Sequence, residues 1–380
     1  MTIPLFASRG ALEPLLPEIA ERQRAVLESG RYILGPEVEA FESEFAAYVG
    51  SEHCVGLANG TDAIEIGLRA LGVAPGDEVV VPAFTFFATA EAVVAMGATP
   101  VFCDVDPATW CMTPATAEPV ITEQTRALIP VHIFGNPAPV PELLELAQSR
   151  GIRVLEDAAQ AHGAELDGRL AGALGHAAAF SFFPSKNLGG FGDGGALTTD
   201  DSEVAEAARL LRTRGSKDKR TFTQVGFNSR LDELQAAALR VLLPHLPDWI
   251  EARRRAAAAY LEAGLGGLAR IQSETEGARS AWHILAIASE ARDRLAEALG
   301  DAGIGARPYY ETPLYRQPAL ERWAPAKPLA ETERICSGIL ALPMGAALPD
   351  DAPAEVIAAI RSAGSRSGRG GRPFGASPTR

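Results

Sequence analysis

"FSFFPSKNLGGFGDGGAL", residues 180–197, sets one lysine, Lys186, between an apolar run and a loop in which five of seven residues are glycine. The apolar run has the length of a buried strand, and "GALTT" at 195–199 predicts a second strand after the loop. Glycines let a backbone turn tightly and approach a ligand closely. The stretch therefore predicts a sheet edge at which a single amine is held beside a bound molecule.

Apolar runs of strand length alternate with helical patterns through the first 240 residues or so. Nearly continuous apolar runs are typical of strands buried on both faces, as in a parallel sheet. The predicted strands are 78–82, 99–105, 127–135, 152–157, 177–183 and 195–199, and the predicted helices are 61–72, 141–151 and 202–215. This alternation predicts an α/β fold with a mainly parallel, doubly wound sheet.

The pattern changes after about residue 240. There the sequence predicts a long helix at 245–265, a strand at 281–289 and helices at 292–303 and 351–363. We expect a large α/β domain at 1–244, including an N-terminal helical segment, and a small α+β domain at 245–363. The remaining tail, 364–380, has four arginines, no acid and little to bury, and is predicted to be disordered.

Charge and cysteine usage exclude several function classes. The net charge of −13 over 380 residues argues against nucleic acid or an anionic membrane as the main partner, because both present phosphate. No run reaches the ~18 apolar residues of a membrane span, and "MTIPLFASRG" (1–10) has no charged n-region followed by an apolar h-region, so no signal peptide is expected. The four cysteines form no CxxC and the six histidines no metal spacing. We expect a cytoplasmic protein without a metal site.

Lys186 has a candidate acid partner. A lysine amine becomes nucleophilic when burial lowers its pKa, and its commonest covalent partner among cofactors is the aldehyde of pyridoxal 5'-phosphate (PLP). PLP needs a carboxylate against its ring nitrogen. Asp157 ends the apolar run "VLED" at a carboxyl-terminal strand end, where open α/β sheets bind ligands. Gln160 is placed to reach the ring's phenolic oxygen. Taken singly, Lys186 also fits a surface lysine and Asp157 a helix N-cap.

A phosphate site is predicted at 58–68, "ANGTDAIEIGL", where Gly60 allows close approach and Thr61 opens a helix whose N-terminus favours an anion. Ser181 offers a further hydroxyl. An aromatic residue near 84–87 is expected to stack on the cofactor ring. Three glycines between 190 and 195 formally match the GxGxxG dinucleotide fingerprint, but a strand follows them where that fingerprint requires a helix.

With these pieces in order, the chain resembles the DegT/DnrJ/EryC1/StrS family of PLP-dependent sugar aminotransferases, which have the aspartate aminotransferase fold type I. The resemblance covers about residues 12–361. It is carried by "ILGPEVEAFE" (33–42), "ANGTDA" (58–63), "PAFTFFATA" (82–90), "EDAAQAHGA" (156–164), "SFFPSKNLGGFGDGG" (181–195) and "GFNSRLDELQAA" (226–237). Family membership implies a large domain with a mainly parallel seven-stranded sheet.

The resemblance implies a role for each matching position. Lys186 resembles the lysine that condenses with the PLP aldehyde and later moves the proton between substrate and cofactor carbons; Asp157 resembles the partner of the ring nitrogen and Gln160 the neighbour of the ring oxygen. Phe86 takes the place of the stacking aromatic. The residues that resemble phosphate contacts are Gly60, Thr61 and Ser181 within one subunit, and Asn228, which in the family reaches the other subunit's cofactor. A homodimer is therefore expected. From the residues themselves, Ser229 and Asp232 predict a capping box for the helix after Asn228.

The resemblance also implies the reaction: a ping-pong transfer of the amino group of L-glutamate to a nucleotide-linked (dTDP or UDP) keto sugar. The segment "YYETPLYRQPA" (309–319) departs from the histidine-rich pattern of many relatives, and Tyr309 and Tyr310 are candidate substrate contacts within it. Arg230 is either a contact for a substrate anion or a solvated arginine. "GFGDGG" with "SFFPSKN" resembles family members that aminate C3 of a 3-keto sugar more than those that aminate C4 of a 4-keto-6-deoxy sugar. A PLP-dependent dehydratase, which replaces the lysine, and a non-catalytic regulatory relative are the alternatives that Lys186 disfavours.

Overall fold

The computed structural model describes residues 2–365, so the predicted disorder of the tail beyond residue 365 lies outside the described residues. The strands within this range are β1 His53–Leu57, β2 Glu78–Pro82, β3 Thr99–Cys103, β4 Thr125–Leu128, β5 Arg153–Asp157, β6 Glu165–Leu166, β7 Arg169–Leu170, β8 Ala177–Ser181, β9 Gly195–Thr199, β10 Arg270–Ile271, β11 Ala278–Arg279, β12 Leu285–Ala288 and β13 Ile339–Leu342.

Helices flank these strands along the chain. They are α1 Arg9–Leu12, α2 Leu16–Ser29, α3 Pro36–Val49, α4 Gly60–Ala70, α5 Ala88–Ala95, α6 Pro114–Ala117, α7 Val140–Gln148, α8 Ser202–Arg212, α9 Glu233–Leu242, α10 Leu246–Glu262, α11 Arg292–Asp301, α12 Ala330–Gly338 and α13 Ala352–Ser365. The helix α13 includes the first two residues of the segment predicted to be disordered.

Seven strands form one sheet in the order β1-β9-β8-β5-β4-β2-β3. Every strand of this sheet runs in one direction except β9, which is antiparallel to both of its neighbours, β1 and β8. Because β9 returns antiparallel, the loop between β8 and β9 lies at the same edge as the carboxyl ends of the other strands. The predicted doubly wound, mainly parallel seven-stranded sheet of fold type I is confirmed.

Alternate side chains of the strands enter cores on opposite faces of this sheet. Val79 and Val81 pack in one cluster with α4, α5 and α8, whereas Val80 packs in another with α7. The helices α3 and α9 cover the second face beside β8. Burial on both faces explains why the strands appear in the sequence as continuous apolar runs.

Two strands of the large sheet differ from the prediction. The predicted strand at 127–135 ends at Leu128, because Pro130 has no N–H for the ladder and a 3-10 helix follows at Ile133–Gly135. The first strand, β1, was not predicted, since "HCVGL" has a polar start and a glycine within only five residues. It is nevertheless buried, because α3 and α8 pack against it.

A second core lies around the antiparallel sheet β10-β12-β13, with α10, α11 and α13 packed on it. The start of the chain joins this region, since Ile3 pairs with Ile304 and Phe6 with Met344. The sequence had assigned the start of the chain to the large domain. The domain boundaries 1–244 and 245–363 themselves stay a prediction.

A buried carboxylate ties the motif at 33–42 to the motif at 226–237. Glu233, the first residue of α9, accepts hydrogen bonds from the backbone N–H groups of Gly35, Glu37 and Val38 at 2.8, 3.0 and 3.0 Å. These donors lie at the start of α3, where helical N–H groups have no intrahelical partner. Glu233 thus satisfies the first turn of a helix that is distant in sequence.

Candidate active site

Lys186 and Asp157 line one cavity of about 300 Å³ at the carboxyl edge of the large sheet. Asp157 ends β5, and Lys186 lies in the loop after β8, which is the parallel neighbour of β5. The loop turns back at once: Lys186 N–H donates to Phe183 O at 2.8 Å. Gly189 allows this turn, since a Cβ there would stand 2.6 Å from Pro184 O. The fold therefore brings the two predicted residues together.

Burial shifts the pKa values of both Lys186 and Asp157. Burial lowers the pKa of Lys186 to about 8, although the Asp157 carboxylate acts in the opposite direction. Burial also raises the pKa of Asp157, against hydrogen bonds from Thr89 and the Ala159 N–H and the nearby Lys186. An amine with a pKa near 8 has a free lone pair on a useful fraction of molecules at neutral pH.

Thr89 of α5 binds the Asp157 carboxylate, and Thr85, in the loop before α5, bonds to Thr89. Thr89 Oγ1 donates to Asp157 Oδ2 at 2.8 Å, and Thr85 Oγ1 lies 3.1 Å from Thr89 Oγ1. Because Thr89 has a single hydroxyl proton and the carboxylate can only accept, the Thr85 hydroxyl donates to Thr89. Neither threonine was predicted as a site residue, although both lie within the quoted "PAFTFFATA" motif.

The neighbouring Glu156 points away from Asp157, as alternation along β5 requires. Its carboxylate lies 2.8 Å from His132 Nε2 and accepts hydrogen bonds from the N–H groups of Gly172, Leu174 and Gly175. The His132 backbone N–H donates to Asp157 O at 3.1 Å. The end of β5 is thus fixed on the face opposite the cavity.

Gln160 is clamped in a defined orientation at the cavity. Its Oε1 accepts from the Phe134 N–H at 2.8 Å, so its Nε2 is the end that faces Tyr310 OH, at 3.0 Å. Phe86 lies on the same wall, with its ring 5.7 Å from that of Tyr310. Phe86 lines the cavity and is 53% exposed, so much of its side chain is free to contact a ligand. Tyr309 also lines the cavity.

The predicted phosphate contacts meet at the start of α4. Gly60, Thr61 and Ser181 all line the cavity. The helix begins at Gly60 and not at Thr61, and Asn59 caps it by accepting from the Asp62 N–H at 2.8 Å. A Cβ on Gly60 would stand 2.7 Å from the Ser181 Cβ, so only glycine lets the helix start approach β8 this closely.

Asn228 and Arg230 lie outside this cavity within the single chain. Their side chains bond to each other, and Asn228 is exposed. The predicted capping box is wrong: Asp232 alone caps α9, whereas Ser229 Oγ accepts from the Ala58 N–H at 3.0 Å. Ser229 therefore ties the Asn228 loop to the strand that leads into the phosphate site.

Further cavity-lining residues were not predicted as site residues. They are Phe6, Asn59, Ile64, Thr85, Ala88, Val131, Ala159, Phe183, Ser185, Asp193, Gly194, His283 and Ile284. Ser185 and Asp193 lie in the stretch 180–197 that contains Lys186, so the sequence could have indicated them as site residues. Phe6 and His283 come from the chain start and the region of β12, and no local motif marks them.

The residues present fit PLP. A buried amine of lowered pKa and a buried carboxylate line the same cavity, and a helix N-terminus with two hydroxyls, Thr61 and Ser181, stands where an anion would bind. The backbone at Gly60 leaves no room for a side chain. Within residues 2–365 no group of three or more His, Cys, Asp or Glu is arranged to hold a metal. Fold and site together define a PLP-dependent enzyme of fold type I.

Comparison with known proteins identifies the family. The model of the DegT/DnrJ/EryC1/StrS aminotransferase family matches residues 15–361. The chain belongs to this family. A solved neighbour, NtdA from Bacillus subtilis, is 29% identical and has the cofactor PMP bound. DesV of Streptomyces venezuelae, solved in complex with a ketimine intermediate, superposes with a TM-score of 0.91 at 43% identity, over 95% of this chain and 98% of that one.

Three curated relatives cover almost the whole chain. The dTDP-3-amino-3,4,6-trideoxy-alpha-D-glucose transaminase of Streptomyces venezuelae is 44% identical over 94% of this chain and 95% of its own length. A UDP-N-acetyl-3-dehydro-alpha-D-glucosamine 3-aminotransferase of Acidithiobacillus ferrooxidans is 43% identical over 94% and 97%. A pleiotropic regulatory protein of Geobacillus stearothermophilus is 43% identical over 95% and 98%.

Proposed function

We propose that this transaminase moves the amino group of L-glutamate to C3 of a nucleotide-linked 3-keto sugar. The observation that carries the transaminase chemistry is the shared cavity of Lys186 and Asp157. Amination at C3 is supported by two relatives that are 43–44% identical to this chain and are named for sugars modified at C3. C4 amination of a 4-keto-6-deoxy sugar is the alternative.

The residues of the chain divide the work. Bound PLP supplies an electron sink for negative charge that develops on the substrate carbon. Asp157 holds the ring nitrogen protonated, Phe86 covers the ring, and Gly60, Thr61 and Ser181 bind the phosphate. Lys186 holds the cofactor and, once released, its Nζ removes and returns the proton at the reacting carbon. Tyr309 and Tyr310 contact the sugar.

The nucleotide is dTDP or UDP, since the relatives include enzymes named for each. A panel of 3-keto and 4-keto sugars on both nucleotides, with L-glutamate as donor, tests the proposal. We expect aminated product from a 3-keto sugar, identified by mass and by NMR of the new C–N position. Product from 4-keto sugars alone would replace C3 by C4.

A purely regulatory role is raised by the name of one relative. Such a role requires neither a buried lysine of lowered pKa nor a carboxylate in the same cavity. Both are present here, which favours the enzyme. Purified protein that neither absorbs as a PLP enzyme nor responds to added L-glutamate would favour the regulatory role.

The working unit is a homodimer in which Asn228 reaches the phosphate in the partner's cavity. Exposed apolar side chains near the site support this dimer, because a second subunit would bury them. Phe86 and Phe183 lie at the cavity, and Val225, near Asn228, is 84% exposed.

A cytoplasmic location accords with four buried, free cysteines. Within residues 2–365, none of the helices combines the length and apolar character needed to cross a bilayer.

Subunit mixing tests the shared site. A dimer of one Lys186→Ala and one Asn228→Ala subunit has one cavity with both residues intact if Asn228 acts across the interface. We expect the mixture to recover activity that neither variant has alone. If Asn228 acted within its own subunit, both cavities would be defective and mixing would restore nothing.

A further inference from the structure

His283 is a cavity residue that the transaminase chemistry does not use. The sequence predicted a strand over 281–289, but β12 begins only at Leu285, and His283 lies in the turn before it. Its side chain is almost fully buried and lines the same cavity as Lys186. Its ring stacks on Phe6, with centroids 6.1 Å apart and planes 19° from parallel.

The turn that presents His283 is strained. Trp282 has φ +43°, in the left-handed region that bulky residues rarely adopt. Gly135 makes room for this turn: its carbonyl accepts from the Ala281 N–H at 2.9 Å, and a Cβ on it would stand 2.9 Å from Trp282 N. Strain of this kind persists where surrounding contacts fix it, and it concentrates at functional sites.

A buried cation secures the same turn. Arg253 Nη1 donates to the carbonyls of Trp282 and His283 at 3.2 and 3.3 Å. Arg253 is buried, and burial lowers its pKa to about 10 with no opposing effect from a carboxylate in the described part of the chain. Burying an uncompensated charge costs free energy. The protein thus holds His283 in place with two unfavourable features, a strained residue and a lone buried arginine.

Asn187, the residue after Lys186, fixes the tautomer of the His283 ring. Asn187 Nδ2 donates to Ala281 O at 3.0 Å, so its Oδ1 is the atom that faces His283 Nδ1, at 3.2 Å. An amide oxygen can only accept, and Nδ1 therefore carries the proton. Burial, together with the charges of Lys186 and Arg253 and the nearby His162, lowers the pKa of His283 well below its usual value. The ring is neutral, and Nε2 is an acceptor only.

An acceptor of this kind discriminates between the two substrates of a ping-pong transaminase. The lone pair of Nε2 binds a hydroxyl but repels a carboxylate, and L-glutamate offers two carboxylates. A sugar offers hydroxyls. We propose that His283 Nε2 accepts a hydrogen bond from a hydroxyl of the keto sugar and is a specificity-determining residue for the second half-reaction. The inference rests on the proposed function.

The two half-reactions are measured separately on the holoenzyme. His283→Phe keeps a ring but removes the acceptor, and His283→Gln places an amide oxygen near the position of Nε2. We expect His283→Phe to lower kcat/KM for the keto-sugar nucleotide about tenfold, mainly through KM, as for a lost buried hydrogen bond. The PLP dissociation constant and the rate of bleaching by L-glutamate should stay within about twofold of the parent, and His283→Gln should recover most of the loss.

The controls separate this role from a structural one. His245 stacks on Trp249, and His245→Gln should change neither half-reaction. If His283→Phe does not fold, His283→Asn, which is too short to present an acceptor at the Nε2 position, replaces it. If the His283 variant lost activity equally in both half-reactions, or lost none in the keto-sugar half-reaction, this inference would be overturned and the proposed function would not. A parent enzyme that reacts with L-glutamate but with no keto-sugar nucleotide would overturn the proposed function and this inference together.

Discussion

Thr89 donates a 2.8 Å hydrogen bond to Oδ2 of Asp157, and both side chains are buried. Burial alone would favour the neutral carboxylic acid, which cannot hold a ring nitrogen protonated. The hydroxyl favours the ionised form, and the pKa of Asp157 reflects this opposition. Thr89 is therefore a positioning residue that acts through Asp157.

Replacing Thr89 by valine should weaken PLP binding about tenfold or more, because a hydrogen bond to a charged group contributes about 1.5–3 kcal/mol. Titration of the apoprotein with PLP measures this change, and Thr89→Ser should restore the parent affinity. Thr198, a buried threonine bonded to Gly172 O, supplies the matched control Thr198→Val. Equal PLP affinities in Thr89→Val and the parent would contradict the role.

The lowered pKa of Lys186 predicts how the apoprotein captures PLP as pH changes. Because burial lowers the pKa of the Lys186 amine from 10.5 to about 8, the capture rate should rise with pH and reach half its maximum at about pH 8. Borohydride trapping followed by mass spectrometry of the 186 peptide gives the rate. Lys186→Ala should trap nothing there. A rate that climbs only above pH 10 would show that burial does not shift this amine.

Gly60→Ala should both destabilise the apoprotein and weaken PLP binding. The added methyl meets the Ser181 Cβ at 2.7 Å, and such overpacking typically costs about 1–3 kcal/mol of unfolding free energy. Chemical denaturation of the apoprotein measures the cost. Gly300→Ala, in α11 with open space around the new methyl, should be neutral or stabilising. Adding Ser181→Gly removes the opposing Cβ and should return part of the stability; no recovery would place the cause elsewhere.

Glu233→Gln should lower the unfolding free energy by about 2 kcal/mol, because three N–H groups at the start of α3 lose a charged acceptor. Denaturant titration is the measurement. The exposed Glu203, in the first turn of α8, provides the comparison Glu203→Gln, which should cost less than half as much. Similar losses for both variants would argue against a special role for the buried acceptor.

Features set by local pattern could be predicted from the sequence. β2 and β9 fall at 78–82 and 195–199 as predicted, because short apolar runs with turns on both sides have few alternative structures. The meeting of Lys186 and Asp157 was also predictable, because ends of neighbouring parallel strands share one edge.

What the sequence did not predict depends on partners far along the chain. β1 is a strand because β9 pairs with it and helices bury it, and nothing in "HCVGL" encodes that. Ser229 looks like a local cap but bonds to Ala58 instead. His283 owes its position to Gly135 and Arg253, which lie 148 and 30 residues before it. Long-range contacts of this kind do not appear in the local hydrophobic pattern of the sequence, from which helices and strands are predicted.

The hydrogen bonds of Glu233 have a consequence for biosynthesis. The helix α3 leaves the ribosome long before the residue that completes its first turn, since Val38 and Glu233 are 195 positions apart. On the nascent polypeptide, α3 therefore lacks its acceptor while β1 to β9 are still being translated. A ribosome-stalled chain that stops short of residue 233 should show rapid amide exchange at the beginning of this helix, and one that continues through α9 should show protection.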